Sequence, residues 1–203
     1  MMNIRSYQPP DLSALYRICL ATGAAGADAS RLARDPLLVG QVFAAPYAIL
    51  APQCCFVAED RDGVGGYIVG AADTEAFENR LETEWWPALR SAYPPPPAHS
   101  AEWTYDLRMV RLIHRPFRTP RRISNAYPSH LHINLLPRLQ GQGGGRRLID
   151  HWLSRMREIG SCGAHLAVGI ANPRAIGFYR RYGFHEVERT GRDKHIVWFG
   201  MVL

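Results

Sequence analysis

Lysine is almost missing from this chain, and so is any paired cysteine motif. Lys194 is the only lysine in a Lys+Arg total of 24, so arginine carries nearly all of the basic charge. The four cysteines, Cys19, Cys54, Cys55 and Cys162, form no C-x-x-C pair. That argues against a structural zinc site and makes buried free thiols the expectation. No metal is expected. No apolar run approaches the roughly 20 residues that span a bilayer, so no membrane partner is expected. The opening "MMNIRSYQPPDL" lacks the apolar core of a signal peptide, and the expectation is a cytoplasmic protein. Repeats and low-complexity tails are also missing.

What is present suits an ordinary globular protein. The 203 residues favour a single domain over 1–203, and 47% hydrophobic content is enough for a real core. The net charge of +6 favours anionic partners such as phosphates, an acidic substrate or nucleic acid. No basic motif interleaved with aromatics supports nucleic acid, so that partner is not expected.

Along the chain, "NIRSY" at 3–7 reads as a strand. Asp11 reads as the N-cap of a helix whose face carries Leu12, Leu15, Tyr16 and Cys19. A loop over 23–30 precedes a helix after Pro36, "PLLVGQVFAAPYAIL". "CCFVAED" and "GYIVGAAD" read as a hairpin turning near Asp62-Gly63. A helix over 74–93 ends at the prolines of 94–97. Residues 103–113 read as a strand, followed by an arginine-rich loop. "HLHINLL" at 130–136 is the clearest strand of the second half. Next comes a helix with Leu148, Ile149, Trp152, Leu153, Met156 and Ile159 on one stripe. "AHLAVGIA" reads as a buried strand, "PRAIGFYRRYG" as a helix, and "HIVWFGMVL" as a closing strand. The class is α/β with a mixed sheet.

The most informative stretch is "LLPRLQGQGGGRRLIDHW", residues 135–152. A strand, a glycine turn and a helix start make an anion site. The first N–H groups of a helix lack internal partners, the dipole is positive there, and glycines let a phosphate approach. The donors would be the amides from Gln142 to Arg146, with Arg146 and Arg147 adding charge. The spacing G-x-G-x-G is not the dinucleotide fingerprint G-x-G-x-x-G. The Lys-Ser/Thr pair of a P-loop is missing too. In a second stretch, "NPRAIGFYRRYGF" at 172–184, Asn172, Ala175 and Tyr179 share one helix face. That face offers an amide, a small gap and a phenol.

Both stretches resemble motifs of the GNAT acyltransferases. Arg138-Leu139-Gln140-Gly141-Gln142-Gly143 matches R/Q-x-x-G-x-G/A, and 172–184 matches the N-x-x-A-x-x-F/Y-Y-x-x-x-G-F segment. The resemblance implies a mixed central sheet splayed at its fourth and fifth strands, flanked by helices. It also implies acetyl-coenzyme A (acetyl-CoA) in the opening, held by Leu135, Leu136, Gln140, Gly141, Gln142, Gly143, Gly144, Gly145, Arg146, Asn172, Ala175, Phe178 and Tyr179. Tyr179 takes the position of the acid that protonates a leaving thiolate; the competing reading is a core tyrosine. "ENRLETEWWPALRSAYP" with "YPSHLHINLLPRLQGQG" resembles the acetyltransferase-like domain of animal O-GlcNAc hydrolases and its free-standing bacterial relatives.

His130, His132 and Asn134 alternate on one strand face. The H-x-H spacing resembles the arylalkylamine branch, which implies His132 as general base; the competing reading is a structural histidine pair. Asp73 and Asp106 are further base candidates. The six arginines of 108–122 could meet the 3′-phosphate of coenzyme A or an acidic substrate, or form a solvated loop. Trp85 and Trp86 are expected to pack the long helix onto the sheet, with an aromatic substrate wall as the alternative. The implied activity is transfer of acetyl to an amine on a small molecule, peptide or protein, by a monomer or homodimer. A catalytically weak or inactive acyl-CoA-binding module is the other reading.

Overall fold

A computed structural model describes residues 2–97, 103–191 and 194–203. The elements in chain order are β1 (Asn3–Ser6), α1 (Leu12–Ala21), α2 (Leu38–Phe43), α3 (Ala45–Leu50), β2 (Phe56–Asp60), β3 (Gly63–Ala71) and α4 (Thr74–Arg80). Then follow α5 (Trp86–Ala92), α6 (Tyr105–His114), α7 (Arg121–Ala126), β4 (Ser129–Leu135) and α8 (Gly144–Ile159). The chain ends with β5 (Gly163–Gly169), α9 (Pro173–Tyr182), β6 (His185–Thr190) and β7 (Ile196–Val202).

The strands form one seven-stranded sheet in the order β1-β2-β3-β4-β5-β7-β6. Every neighbouring pair is antiparallel except β4–β5, which is parallel. That parallel pair is joined only at Ser129–Ala164 and His130–His165. Beyond His130, β4 keeps its full pairing to β3 but has no partner on the β5 side. The sheet is therefore splayed between its fourth and fifth strands, as expected.

Each face of the sheet carries a core. On one face α8 buries Leu148, Ile149, Trp152, Leu153 and Met156 against Phe56, Ile68, Leu131, Leu166 and Phe199. Each fully buried aliphatic side chain there contributes about 1.5–3 kcal/mol. The Trp152 indole N–H donates to the Cys54 carbonyl at 3.1 Å, so the helix is keyed to one position. Ile159, expected on this stripe, is exposed in the last turn. On the other face α1, α2 and α3 pack Leu15, Ile18, Val39 and Tyr47 onto Val57, Tyr67 and Val69.

Several expectations are corrected. Residues 105–114 form a helix, not a strand. The Thr104 side chain caps it by accepting from the Leu107 N–H, and Val110 and Ile113 fall three apart on its buried face. The arginine-rich segment is thus mostly helical, with only 115–120 between α6 and α7. The helix after Pro36 is two helices, broken at Ala44 just before Pro46. The 74–93 helix contains a wide π turn at Leu81–Trp85, where Pro87 removes a backbone donor. Trp86 packs on Leu38, Val42, Val110 and Ile113 of neighbouring helices rather than on the sheet, and the Trp85 indole donates to the Gln41 carbonyl at 3.0 Å. The Asp11 carboxylate does not cap α1. It accepts two bonds from Arg5, at 2.7 and 2.8 Å, and one from the Gln8 N–H. Cys19, Cys54 and Cys55 are buried free thiols, whereas Cys162 is exposed.

Candidate active site

The splay opens a cleft of about 560 Å³ at the N-terminus of α8. Gly143 is the N-cap residue just before α8, with φ +77°, and Gly141 has φ +75°. Both lie in the left-handed region, where a side chain costs roughly 1 kcal/mol or more. A Cβ built at either would meet nothing within 4 Å, so both border open space. Because α8 starts at Gly144, the N–H groups of Gly144, Gly145 and Arg146 have no helical acceptor. Their dipoles converge on the cleft, which Arg146, Arg174 and Arg181 also line.

The opposite wall comes from α9. The Asn172 side-chain oxygen accepts from the Ala175 N–H at 3.0 Å and so caps that helix. Ala175, Phe178 and Tyr179 follow along the cleft wall. The Tyr179 hydroxyl has no protein hydrogen-bond partner among the described residues. Burial pushes its pKa well above the ordinary phenol value, so it keeps its proton throughout the working range.

Eleven of the thirteen residues expected to hold acetyl-CoA border this one cleft: Leu135, Gln140, Gly141, Gly143, Gly144, Gly145, Arg146, Asn172, Ala175, Phe178 and Tyr179. Leu136 does not; it packs with the core of the α1 face and donates its N–H to the Gly65 carbonyl at 2.8 Å. Gln142 is exposed, and its amide donates to the Arg138 carbonyl at 3.2 Å. Thr22, Ala25 and Gly26 complete the rim from the loop after α1. The six arginines of 108–122 stay out of the cleft. Arg118, Arg121 and Arg122 bond to Glu78, Glu75 and Glu188.

His132 lies next to this cleft but lines a second cavity of about 400 Å³ on the α1 face of the sheet. Its walls are largely apolar: Val42, Phe43, Phe77, Leu81, Trp86, Leu112, Phe117, Ile196 and Trp198. Trp86, packed in the helix core, also reaches the wall of this cavity. His130, His132, His165, Tyr47, Glu78 and Thr119 supply the polar groups. The Tyr47 hydroxyl sits between the two histidines of β4, 2.9 Å from His130 Nε2 and 3.1 Å from His132 Nε2. Burial, helped by nearby His165, lowers the pKa of His132 to about 4. His130 is lowered further by burial and by both neighbouring histidines. At neutral pH these rings are uncharged. His165 Nδ1 lies 2.6 Å from the Tyr127 carbonyl, which only accepts, so that nitrogen carries the proton and Nε2 is bare.

Asp73 and Asp106 do not reach this cavity. Asp73 caps α4 through the Ala76 N–H, and Asp106 accepts from the N–H groups of Arg34 and Asp35. Tyr47 and His165 were missed by sequence reasoning. Tyr47 sits in an apolar helical run, and His165 in a strand that reads as fully buried. The one available signal was alternation, which puts His165 in phase with Ala167 and Gly169 on the cavity face.

Comparison with known proteins agrees with this geometry. A family model described as "Acetyltransferase (GNAT) domain" matches residues 122–203. The crystal structure of SsHAT superposes with a TM-score of 0.88 at 37% identity, covering 99% of this chain and 98% of that one. This chain belongs to the GNAT acetyltransferase family. The chain is an acyltransferase, and acetyl-CoA is the co-substrate of its fold. The rat Protein O-GlcNAcase is 25% identical over 201 residues, which cover 98% of this chain. The chain spans only 22% of the length of that relative. The GNAT fold is shared with yncA of Salmonella typhimurium, solved with its cofactor acetyl-CoA, at a TM-score of 0.57 and 14% identity, covering 99% of this chain and 93% of that one. The orphan N–H groups, the three arginines and the side-chain-free turn suit the GNAT co-substrate's negatively charged pyrophosphate.

Proposed function

We propose that the protein is an N-acetyltransferase that transfers acetyl directly from acetyl-CoA to an amine held in the second cavity. The observation that carries this reading is the adjacency of the two spaces. His132 borders the acceptor cavity, and the next residues of β4, Ile133 and Asn134, border the glycine cleft. Acetyl-CoA, when bound, supplies an acetyl thioester whose carbonyl carbon a neutral amine can attack. The free amides of Gly144, Gly145 and Arg146 hold its phosphates, with Arg146 as counter-charge. Leu135, Ala175 and Phe178 flank its arm. Asn172 keeps α9 in place by capping it and turns its amide nitrogen toward the loop at Gly26.

His132 accepts the amine proton. Its lowered pKa keeps the imidazole neutral, and a neutral ring is what a base requires. It lies on the open stretch of β4, whereas His165 lies at the closed end, paired with His130. Tyr179 presents its O–H to the departing sulfur. A phenol held above the thiol pKa acts there mostly as a hydrogen-bond donor, so its contribution is modest. The apolar walls favour amines with a hydrophobic body over highly polar ones.

Among the described residues no cysteine borders either space, which favours direct transfer over an acyl-enzyme. Initial-rate plots against both substrates test this. Intersecting lines are expected; parallel, ping-pong lines would overturn direct transfer. We place the whole reaction in one domain, residues 1–203, working in the cytoplasm as a monomer or homodimer. In the described residues no helix is long and apolar enough to cross a membrane.

A further inference from the structure

Hydrogen-bond directions around His132 can be read from one fixed point. The Thr74 hydroxyl lies 2.7 Å from the Pro128 carbonyl oxygen, which has no proton to give, so Thr74 is the donor. With its single proton committed, Thr74 Oγ1 can only accept from His130 Nδ1, 2.8 Å away. His130 thus carries its proton on Nδ1, and its bare Nε2 accepts from the Tyr47 hydroxyl at 2.9 Å. Tyr47 has then donated its only proton. Its oxygen must accept from His132 Nε2 at 3.1 Å. His132 is left with the proton on Nε2 and a lone pair on Nδ1, an atom with no protein partner among the described residues.

We propose that Thr74, His130 and Tyr47 form a positioning chain, anchored on the Pro128 carbonyl, that fixes His132 in its Nε2–H tautomer and keeps Nδ1 as the proton acceptor. The chain's use in catalysis rests on the reading of His132 as the base. In the transfer step the amine nitrogen bonds to the acetyl carbon, the C–S bond breaks with its electron pair leaving on the coenzyme A sulfur as thiolate, and the amine N–H bond breaks as its proton joins His132 Nδ1. The imidazolium so formed keeps its Nε2–H bond to Tyr47, whose own bond to His130 Nε2 is unchanged. A ring in the opposite tautomer would offer the amine an N–H donor and could not take its proton.

The assignment needs neutral rings. Burial of His130 and His132 keeps both uncharged at neutral pH. The other titratable groups around this cluster are His165 from β5, Glu78 from α4, Tyr67 from β3 and Cys55 just before β2. The Glu78 carboxylate is tied to Arg118 and to the Thr119 N–H.

The test is ¹H–¹⁵N spectroscopy of the full chain labelled with ¹⁵N-histidine, with resonances assigned by single His→Gln variants. At neutral pH, His132 should be protonated on Nε2 and His130 on Nδ1. Thr74→Val removes the acceptor for His130 Nδ1, so both rings should populate two tautomers. In that variant kcat should fall in proportion to the His132 left in the Nε2–H tautomer, about twofold where the two are equally populated, while KM for acetyl-CoA holds, and Thr74→Ser should restore both readouts. Tyr47→Phe gives a second break in the chain. A wild-type His132 protonated on Nδ1 would overturn the proposal, as would tautomers unchanged in both Thr74→Val and Tyr47→Phe. If the tautomers behave as stated but His132→Gln keeps full activity, the chain stands and the base assignment falls.

Discussion

His130 and His165 face each other as the last residue pair joining β4 to β5, their rings 5.7 Å apart. The opening between the two strands lies past that pair. Beyond it β4 has a free edge, one of its faces turns toward the second cavity, and its end runs into the glycine turn. The sheet is closed behind the histidines and open in front of them.

The glycine turn gives the first prediction. Gly143→Asp places a carboxylate where the phosphates are proposed to lie, so affinity for acetyl-CoA by calorimetry should weaken at least tenfold, about 1.4 kcal/mol. Gly143→Ala separates charge from strain. Its Cβ meets nothing, yet φ is +77°, so it should lose about 1 kcal/mol of stability and change affinity by less than about threefold.

Tyr179→Phe removes one hydroxyl that has no protein partner and keeps the buried ring. Stability and KM for acetyl-CoA should hardly move, while kcat falls by about tenfold, at or below the low end for general acids because the phenol pKa is raised. Full kcat under chemistry-limited conditions would remove Tyr179 from the reaction.

The pH dependence of kcat/KM follows from the lowered histidines. With His132 near 4, its acid limb lies near pH 4 rather than near 6.5, and His132→Gln should abolish most activity across the range. Any limb near neutrality or above should track the pKa of the amine used, which a series of acceptors measures. His165→Gln should leave that pattern in place. The reverse result, with His165→Gln inactive and His132→Gln active, would move the base to β5.

How much of the fold and site was legible in the sequence follows from which contacts are local. The glycine turn and the Asn172 cap are set by neighbours a few residues away, so both stretches can be located from the residues alone. The splay followed from the family resemblance rather than from periodicity. Residues 103–113 misled because Trp103, Tyr105, Val110 and Ile113 favour strands, while the Thr104 cap and packing on α2 make a helix. β6, with mostly polar and exposed residues at the sheet edge, carried no strand pattern. Tyr47 and Thr74 could not be found at all, because they meet His130 across 83 and 56 residues of chain.

Stability should depend on pH through the same histidines. His130, His132 and His165 all have folded-state values below the unfolded 6.5, so in acid the unfolded chain binds more protons. Their contribution is complete above about pH 6.5 and declines in acid, with the His132 share lost by about pH 4. The melting temperature should drop across that window, with His132 alone responsible for about 3 kcal/mol. A His132→Gln variant should show a flatter profile; an equally steep one would contradict the burial of that ring.

Release of free thiol from acetyl-CoA, followed against a panel of amines, tests the central claim most directly. Turnover is predicted, best with amines that carry a hydrophobic body, together with its loss in His132→Gln. Tight binding of acetyl-CoA with no thiol release above the hydrolytic background for any amine would contradict that claim, and would leave a binding module in place of an enzyme.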